Sequence, residues 1–296
     1  MMRSPSSMAV AVRRADGSVA MMEKPFVSIT RKIKVLGWPF IRGAVSLFET
    51  LYLGMSALQF SADEASKDEE GKPPVSGPVQ ALIQGVTMVF AFGLGLLLFV
   101  VLPAKITEWL GFHGRVGFGL VDGFFRLMAF MLYLLLISQW KEMARVLGYH
   151  GAEHKAIHAL ENRAPLTPES VQTFSRFHPR CGTSFLFFVV VVSIVVFTFI
   201  GKPRGIGDHL LRIAVMPVIV GVAFEFIRLS GKYADRPFVR ALIWPGMQFQ
   251  RLTTREPDLT MCAVAIAALE RVRGDELVRK LEAAPAEART EVAFIQ

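Results

Sequence analysis

The sequence predicts a mainly α-helical, polytopic membrane protein with about four transmembrane helices. Hydrophobic residues make up 52 % of the 296 residues, and 24 of them are Phe. The mean hydropathy is +0.42, which is typical of a chain with several membrane spans and unlike an ordinary soluble enzyme. Four segments are apolar over roughly the 20 residues that an α-helix needs to cross the hydrocarbon core of a bilayer.

The N-terminal region, residues 1–35, is predicted to contain a small β-hairpin. Apolar and polar residues alternate from Met8 onward, as in a strand with one buried face. Asp16 and Gly17 then supply the turn, and a second short strand follows.

The next segment, residues 36–60, is predicted to form an interfacial or re-entrant helix. It is long and apolar enough to cross a membrane, but it contains Arg42 and Glu49. Charged residues at these positions favour a helix that lies at the membrane surface or is only partly inserted. The acidic stretch at 61–78 is then predicted to be a solvated linker.

Residues 79–230 are predicted to form a four-helix membrane domain. The second span contains Asp122 and Arg126, four residues apart, and we interpret them as a structural ion pair. The fourth span contains Glu225, for which Arg228 or a metal ion is the expected partner. The predicted spans are residues 79–102, 116–138, 184–200 and 210–229.

The distribution of Lys and Arg predicts the orientation of the spans. These residues concentrate before the first span, between the second and third, and after the fourth, whereas the other two connections are short. The positive-inside rule therefore places both termini and the loop at 140–183 in the cytoplasm of a bacterial inner membrane. The net charge of +8 also favours contact with anionic lipid, a ribosome or a translocon. No specific DNA binding is expected.

The C-terminal region, residues 231–296, is predicted to be cytoplasmic and helical. Trp244 lies in an amphipathic segment typical of the membrane interface. Helices are expected near 259–271 and 275–284, after the cap and turn residues TTREPD. Cys262 in the first of them is interpreted as a small buried hydrophobic residue.

A metal-binding pattern follows the second span, which is predicted to continue into the cytoplasm as one helix. His150 and His154 share a helical face, so both imidazoles can bind the same cation. With Glu153 they form H-x-x-E-H, the inverted form of a zinc-hydrolase motif in which the Glu activates a water molecule. The alternative is the solvated polar face of an ordinary helix, where His158 is expected to lie.

Further candidate ligands lie just before the third span, in the segment RFHPRCGTSF. Its His178 and Cys181 can fold back towards His150 and His154 at the membrane surface. Zinc accepts imidazole and thiolate ligands together, so zinc is the expected cofactor. Glu153 is the candidate general base, and Arg180 or Lys155 is the candidate group for stabilising an oxyanion.

Three segments resemble those of the bacterial YqhQ family: HGAEHK at 150–155, HPRCGTSF at 178–185 and LTTREPD at 252–258. This family consists of integral membrane proteins of unknown function that are labelled as predicted metal-dependent enzymes. The resemblance implies that His150, Glu153, His154, Lys155, His178, Arg180 and Cys181 are the motif residues here. Family members carry a Gly-rich stretch before the hairpin, so residues 1–35 are expected to lack the beginning of that region.

Two functional hypotheses follow. The first is a metal-dependent hydrolase at the cytoplasmic membrane surface, acting on a peptide or a lipid-linked substrate. The second is a non-enzymatic scaffold for membrane-protein assembly, because four protein ligands would close the zinc shell, as in structural sites. A transporter is disfavoured, since four spans without an internal repeat are a poor match to transporter folds.

Overall fold

The computed structural model describes residues 1–4, 7–65, 78–179, 181–203, 205–233 and 236–272. Within them the chain is mainly helical, as predicted. The helices are Ile29–Lys32 (α1), Ile41–Ala65 (α2), Pro78–Leu96 (α3), Leu102–Trp109 (α4), Arg115–Ile137 (α5), Lys141–Glu161 (α6), Pro168–Gln172 (α7), Gly182–Ile200 (α8), Ile206–Lys232 (α9), Pro237–Thr253 (α10) and Leu259–Val272 (α11). A π-helical turn, Leu97–Val101, joins α3 to α4.

The predicted hairpin is confirmed and belongs to a three-stranded antiparallel sheet. Its strands are Met2–Arg3 (β1), Ser7–Arg13 (β2) and Val19–Pro25 (β3), in the order β1-β2-β3. At the turn the Asp16 carboxylate accepts a hydrogen bond from the Ser18 amide at 2.8 Å. Gly17 adopts a φ of 85°, a conformation that favours glycine.

The four predicted spans are also confirmed. Among the described residues, four helical stretches are long and apolar enough to cross a membrane: Gly85–Trp109, Arg115–Ile137, Gly182–Ile200 and Leu210–Lys232. Helix α5 packs closely on α8, because Gly123 lets the backbone approach Ile194: a Cβ at Gly123 would lie 2.5 Å from that side chain. Large side chains of the first span, such as Phe90 and Phe92, are exposed, as expected of a lipid-facing surface.

Helix α2 occupies the segment predicted to be interfacial or re-entrant. Leu53 and Ala57 pack against Met8 and Val10 of the sheet, and α2 also packs along α9. The helix continues to Ala65, inside the predicted linker. An ion pair between Glu64 and Arg14, with Oε2 2.6 Å from Nε, holds this last turn against the hairpin. A helix at this position is therefore observed, and its placement at the membrane interface stays a prediction.

Glu225 has a different partner from the two that the sequence suggested. Its carboxylate accepts two hydrogen bonds from the Arg42 guanidinium, at 2.7 Å to Nε and 2.5 Å to Nη2. The sequence could not reveal this pair, because the two residues are joined only by the packing of α2 on α9. The predicted pair between Asp122 and Arg126 is present, with a separation of 3.0 Å.

The prediction that the second span continues as one helix into the histidine motif is wrong. Helix α5 ends at Ile137 and α6 begins at Lys141, with an extended residue, Trp140, between them. Ser138 and Gln139 both donate side-chain hydrogen bonds to the Leu135 carbonyl, and such local bonds compete with helix continuation. The break separates α6 from the span as a distinct helix.

The sheet, α6, α7 and α11 form one unit, which we call the peripheral body. Its shared core unites residues from the beginning, middle and end of the described chain: Met2, Ala9, Ala152, Ala156, Val171, Cys262 and Ala265. Cys262 is fully buried, as predicted. The predicted helix near 259–271 is confirmed as α11, and the one at 275–284 lies outside the described residues.

Candidate metal centre

Helix α6 aligns the histidines of the motif along one face. His150, His154 and His158 follow at intervals of four residues, and Glu161 ends the helix. Gly151 lets α6 approach the LTTREPD segment, because a Cβ at this position would collide with the Arg255 carbonyl oxygen. The Arg255 amide also donates to the Leu147 carbonyl at 2.9 Å, so this segment is fixed against α6.

His150, His154 and Cys181 form a compact group, which we call the first group. Each offers one potential ligand atom, and these atoms lie within 4.8 Å of one another. Cys181 reaches the group as the N-cap residue of α8, where its Sγ accepts a hydrogen bond from the Thr183 amide at 3.4 Å. His154 and Cys181 are fully buried. The sequence prediction that these three residues meet agrees with their positions in the structure.

Backbone carbonyls set the tautomer of both histidines in the first group. His150 Nδ1 donates to the Thr253 carbonyl at 2.8 Å, and His154 Nδ1 donates to the Arg176 carbonyl at 2.5 Å. A carbonyl oxygen can only accept, so each Nδ1 carries the proton and each Nε2 presents a lone pair. This arrangement is typical of metal-ligating histidines.

The donor set of the first group fits a metal ion. His154 Nε2 is buried and has no hydrogen-bond partner in the described part of the chain. A buried acceptor without a partner is costly, and a cation would satisfy it. Two imidazole nitrogens and one thiolate match the ligands that zinc prefers.

The electrostatics of the group favour the thiolate. Burial raises the pKa of Cys181, but the hydrogen bond with His150 and the positive charge of the neighbouring imidazoles outweigh burial and hold the pKa well below its usual value. Burial lowers the pKa of His150. The hydrogen bond to Cys181 and the negative charge of Cys181 outweigh burial and raise the pKa of His150 to about 9. The Cys181 Sγ and His150 Nε2 lie 3.5 Å apart, so these two side chains interact directly.

His178 lies in a second group, with His158 and Glu161. Its Nε2 is 3.4 Å from Glu161 Oε2, and its ring centroid is 4.7 Å from that of His158 and 5.9 Å from that of His154. Burial lowers the pKa of His178. His158, which was expected to lie on the solvated face of the helix, is partly buried, and its Nε2 donates to the Phe177 carbonyl at 2.9 Å.

The three residues predicted to assist catalysis have different surroundings. Glu153 and His150 both line a cavity of about 440 Å³, and the Glu153 carboxylate pairs with the amino group of Met1. Lys155 is buried, donates to the Gln172 carbonyl at 2.8 Å and pairs with Glu256. Arg180 lies outside the described residues.

The LTTREPD segment contributes to the site through its backbone, which sequence analysis missed. Its Thr253 carbonyl orients His150, while the Thr254 carbonyl accepts from the Arg176 guanidinium at 2.7 Å. Arg255 extends to the Ser138 carbonyl at the end of α5. Backbone acceptors leave no signature in the side chains, so the motif resemblance drew attention to this segment but could not reveal its role.

Comparison with known proteins places the chain in a family. The family described as "Protein of unknown function (DUF1385)" matches residues 38–275, a range that includes both histidine groups and the LTTREPD segment. The chain belongs to the DUF1385 family. It is also 32 % identical to "Uncharacterized protein YqhQ" of Bacillus subtilis (strain 168) over 272 residues, which cover 86 % of this chain and 83 % of that protein.

The family assignment agrees with the resemblance seen in the three sequence motifs. No solved structure matches the chain.

Proposed function

We propose that the chain is a zinc-dependent hydrolase of the bacterial cytoplasmic membrane. The main support is the first group, in which three residues converge and both imidazoles are oriented by backbone carbonyls. His150, His154 and Cys181 would hold a zinc ion with three protein ligands, the number found in catalytic zinc sites. The closed shell that four ligands would give is disfavoured by the position of His178 in the second group.

In this proposal His150, His154 and Cys181 hold the metal, and Glu153 is the general base. When bound, zinc supplies Lewis acidity and lowers the pKa of a water molecule that it coordinates. The Glu153 carboxylate accepts the proton of the attacking water and passes it to the leaving group. Glu153 lies three residues after His150 on α6, and both line the same cavity.

The composition of that cavity supports a substrate with an apolar portion. Its wall includes Ala57, Leu58, Val146, Val264 and Ala265. Burial of an apolar chain against such a wall is favourable by about 25 cal/mol per Å². A peptide segment or the lipid portion of a lipid-linked substrate has this character, and both are available at a membrane surface.

Of the two candidates for oxyanion stabilisation, we retain Arg180. Lys155 is engaged by Glu256 and the Gln172 carbonyl, so its ammonium group has a structural role in this proposal. Arg180 immediately precedes the ligand Cys181 in the sequence. A guanidinium is well suited to an oxyanion, because it stays charged and offers several donors.

The proposed orientation places the peripheral body in the cytoplasm. Segments from both ends of the described chain and from the loop between α5 and α8 share one core, so they lie on the same side of a membrane. The concentration of Lys and Arg in these regions assigns that side to the cytoplasm. The same basic surfaces are proposed to contact anionic lipid.

A scaffold with a structural metal is the second candidate. It is supported by the complete burial of His154 and Cys181, since a metal there would fasten α6 to the start of α8. In this case the basic surfaces of the peripheral body would bind a ribosome or a translocon. The two candidates differ in whether Glu153 is needed for anything beyond metal binding.

Replacing Glu153 with glutamine is expected to leave zinc binding unchanged and to lower hydrolysis by about 100-fold or more, because the base is lost while the ligands remain. The purified protein in liposomes is incubated with a bacterial membrane extract in heavy-oxygen water. Mass spectrometry then detects products that have acquired oxygen from water, whatever the substrate is.

The matched control is Glu169→Gln, which alters an exposed carboxylate on α7. It is expected to match the wild type in both zinc content and labelled product. Equal labelling by wild type, Glu153→Gln and a protein-free sample would contradict the hydrolase and leave the scaffold as the better explanation.

A further inference from the structure

We propose that the second group, His158, Glu161 and His178, binds a second divalent transition-metal ion that is separate from the first. Its three potential ligand atoms lie within 4.8 Å of one another. Two imidazoles and one carboxylate form a recognised ligand set for zinc and for first-row metals such as iron and cobalt. This inference does not depend on the proposed hydrolase activity.

The backbone geometry brings the three side chains together from two directions. His158 and Glu161 are three residues apart at the end of α6, so they lie on the same face of the helix. His178 comes from the segment between α7 and α8. Gln250 of α10 fixes it, accepting from the His178 amide at 2.8 Å and donating to the His178 carbonyl at 2.6 Å.

The hydrogen bond of His158 indicates which of its ring nitrogens would coordinate a metal ion. Because His158 Nε2 donates to the Phe177 carbonyl, the proton is on Nε2 and the Nδ1 lone pair is available for coordination. His178 Nε2 lies beside Glu161 Oε2, at 3.4 Å. His178 is almost completely buried, whereas His158 and Glu161 are partly exposed, so an ion could enter from their side.

The position of Glu161 adds an electrostatic reason for a cation. It is the last residue of α6, where the negative end of the helix dipole disfavours a carboxylate. A divalent cation between Glu161 and the two imidazoles would offset this repulsion. A hydrogen bond between Glu161 and His178 alone is the competing explanation, and it predicts no second metal ion.

The two groups use different residues and lie about one helical turn apart along α6. The backbone links the two groups, since the Cys181 amide donates to the His178 carbonyl at 3.3 Å. The turn that presents Cys181 is therefore held by the backbone, and loss of the second cation should leave the first group intact.

The test is the metal stoichiometry of the full chain in detergent, stripped with a chelator and titrated with cobalt(II). Wild type is expected to bind two equivalents of cobalt(II). The single variants Glu161→Gln and Cys181→Ala are each expected to bind one equivalent, and the variant that combines both substitutions is expected to bind none. For Glu161→Gln the affinity of the second equivalent should fall by at least about 100-fold, more than the loss of an outer-shell contact causes. Glu169→Gln is the control and should bind two.

The absorption spectrum assigns each equivalent. In Glu161→Gln the sulfur-to-cobalt charge-transfer band of the first group is expected to persist at full intensity, and this shows that the variant is folded. His158→Gln provides an independent second variant with the same expected result. A single equivalent in wild type, an unchanged stoichiometry in both variants, or loss of the sulfur band in His178→Ala would each overturn the proposal.

Discussion

Replacing His154 with alanine is expected to weaken zinc binding at the first group by at least about 100-fold. Removal of an outer-shell partner of a metal ligand typically costs 10–100-fold, and removal of the ligand itself should cost more. His154 is also the most buried imidazole of the group, with Nδ1 fixed by the Arg176 carbonyl.

Competition with a chelating dye measures this loss on the detergent-purified protein. The control is His113→Ala, which removes an exposed histidine between α4 and α5 and should leave the affinity unchanged. If His154→Ala bound zinc at the first group as tightly as wild type, the three-ligand site would be refuted. With chelator present in both samples, a melting temperature of the variant equal to that of wild type would show that the variant itself is folded.

Replacing Arg42 with alanine is expected to lower the free energy of unfolding by about 3 kcal/mol. This value is the low end of the range measured when one partner of a buried ion pair is removed, because both side chains here retain some exposure. The remaining Glu225 carboxylate would lie within the fourth span, where an unpaired charge is strongly disfavoured. The packing of α2 along α9 should loosen as a result.

Denaturant titration of the detergent-solubilised protein measures the change. Arg228→Ala is the matched control: Arg228 is also a basic residue near the end of α9, but the Glu225 carboxylate is hydrogen-bonded to Arg42. We expect a much smaller loss for Arg228→Ala. Equal destabilisation by both substitutions would contradict the assignment of Arg42 as the partner of Glu225.

The membrane spans could be predicted from the sequence because their signal is local. A run of apolar residues such as SFLFFVVVVSIVVFTFI can satisfy its backbone only as a helix in lipid, whatever its neighbours are. The break between α5 and α6 was not predictable in the same way. It depends on Ser138 and on Arg255, which is distant in sequence and donates to the Ser138 carbonyl.

The candidate site was predictable to the extent that its residues follow helical spacing. His150 and His154 lie four residues apart, so their shared direction follows from the helix alone. That His178 lies outside the first group could be seen only in the tertiary structure. Gln250 of α10 fixes the His178 backbone beside His158 and Glu161. The carbonyls of Thr253 and Arg176 that orient the imidazoles have no side-chain pattern to reveal them.

The three sequence motifs have complementary roles in this structure. HGAEHK contains two candidate ligands and the candidate base, and HPRCGTSF contains the third candidate ligand, Cys181. LTTREPD places its backbone against α6, and its Thr253 carbonyl sets the tautomer of His150. Segments that are far apart in the sequence therefore converge on one site at the boundary between the peripheral body and the spans.

The most direct test of the first group is the absorption spectrum of the cobalt(II)-loaded protein and of its two cysteine variants. A bound thiolate produces a sulfur-to-cobalt charge-transfer band in the near ultraviolet. Both cysteines are buried, but only Cys181 lies beside the two imidazoles, whereas Cys262 Sγ donates to Gln172 Oε1 at 3.1 Å. We expect the band in wild type and in Cys262→Ala, and its loss in Cys181→Ala. A wild-type protein without the band, or a band that survives in Cys181→Ala, would contradict metal binding by His150, His154 and Cys181.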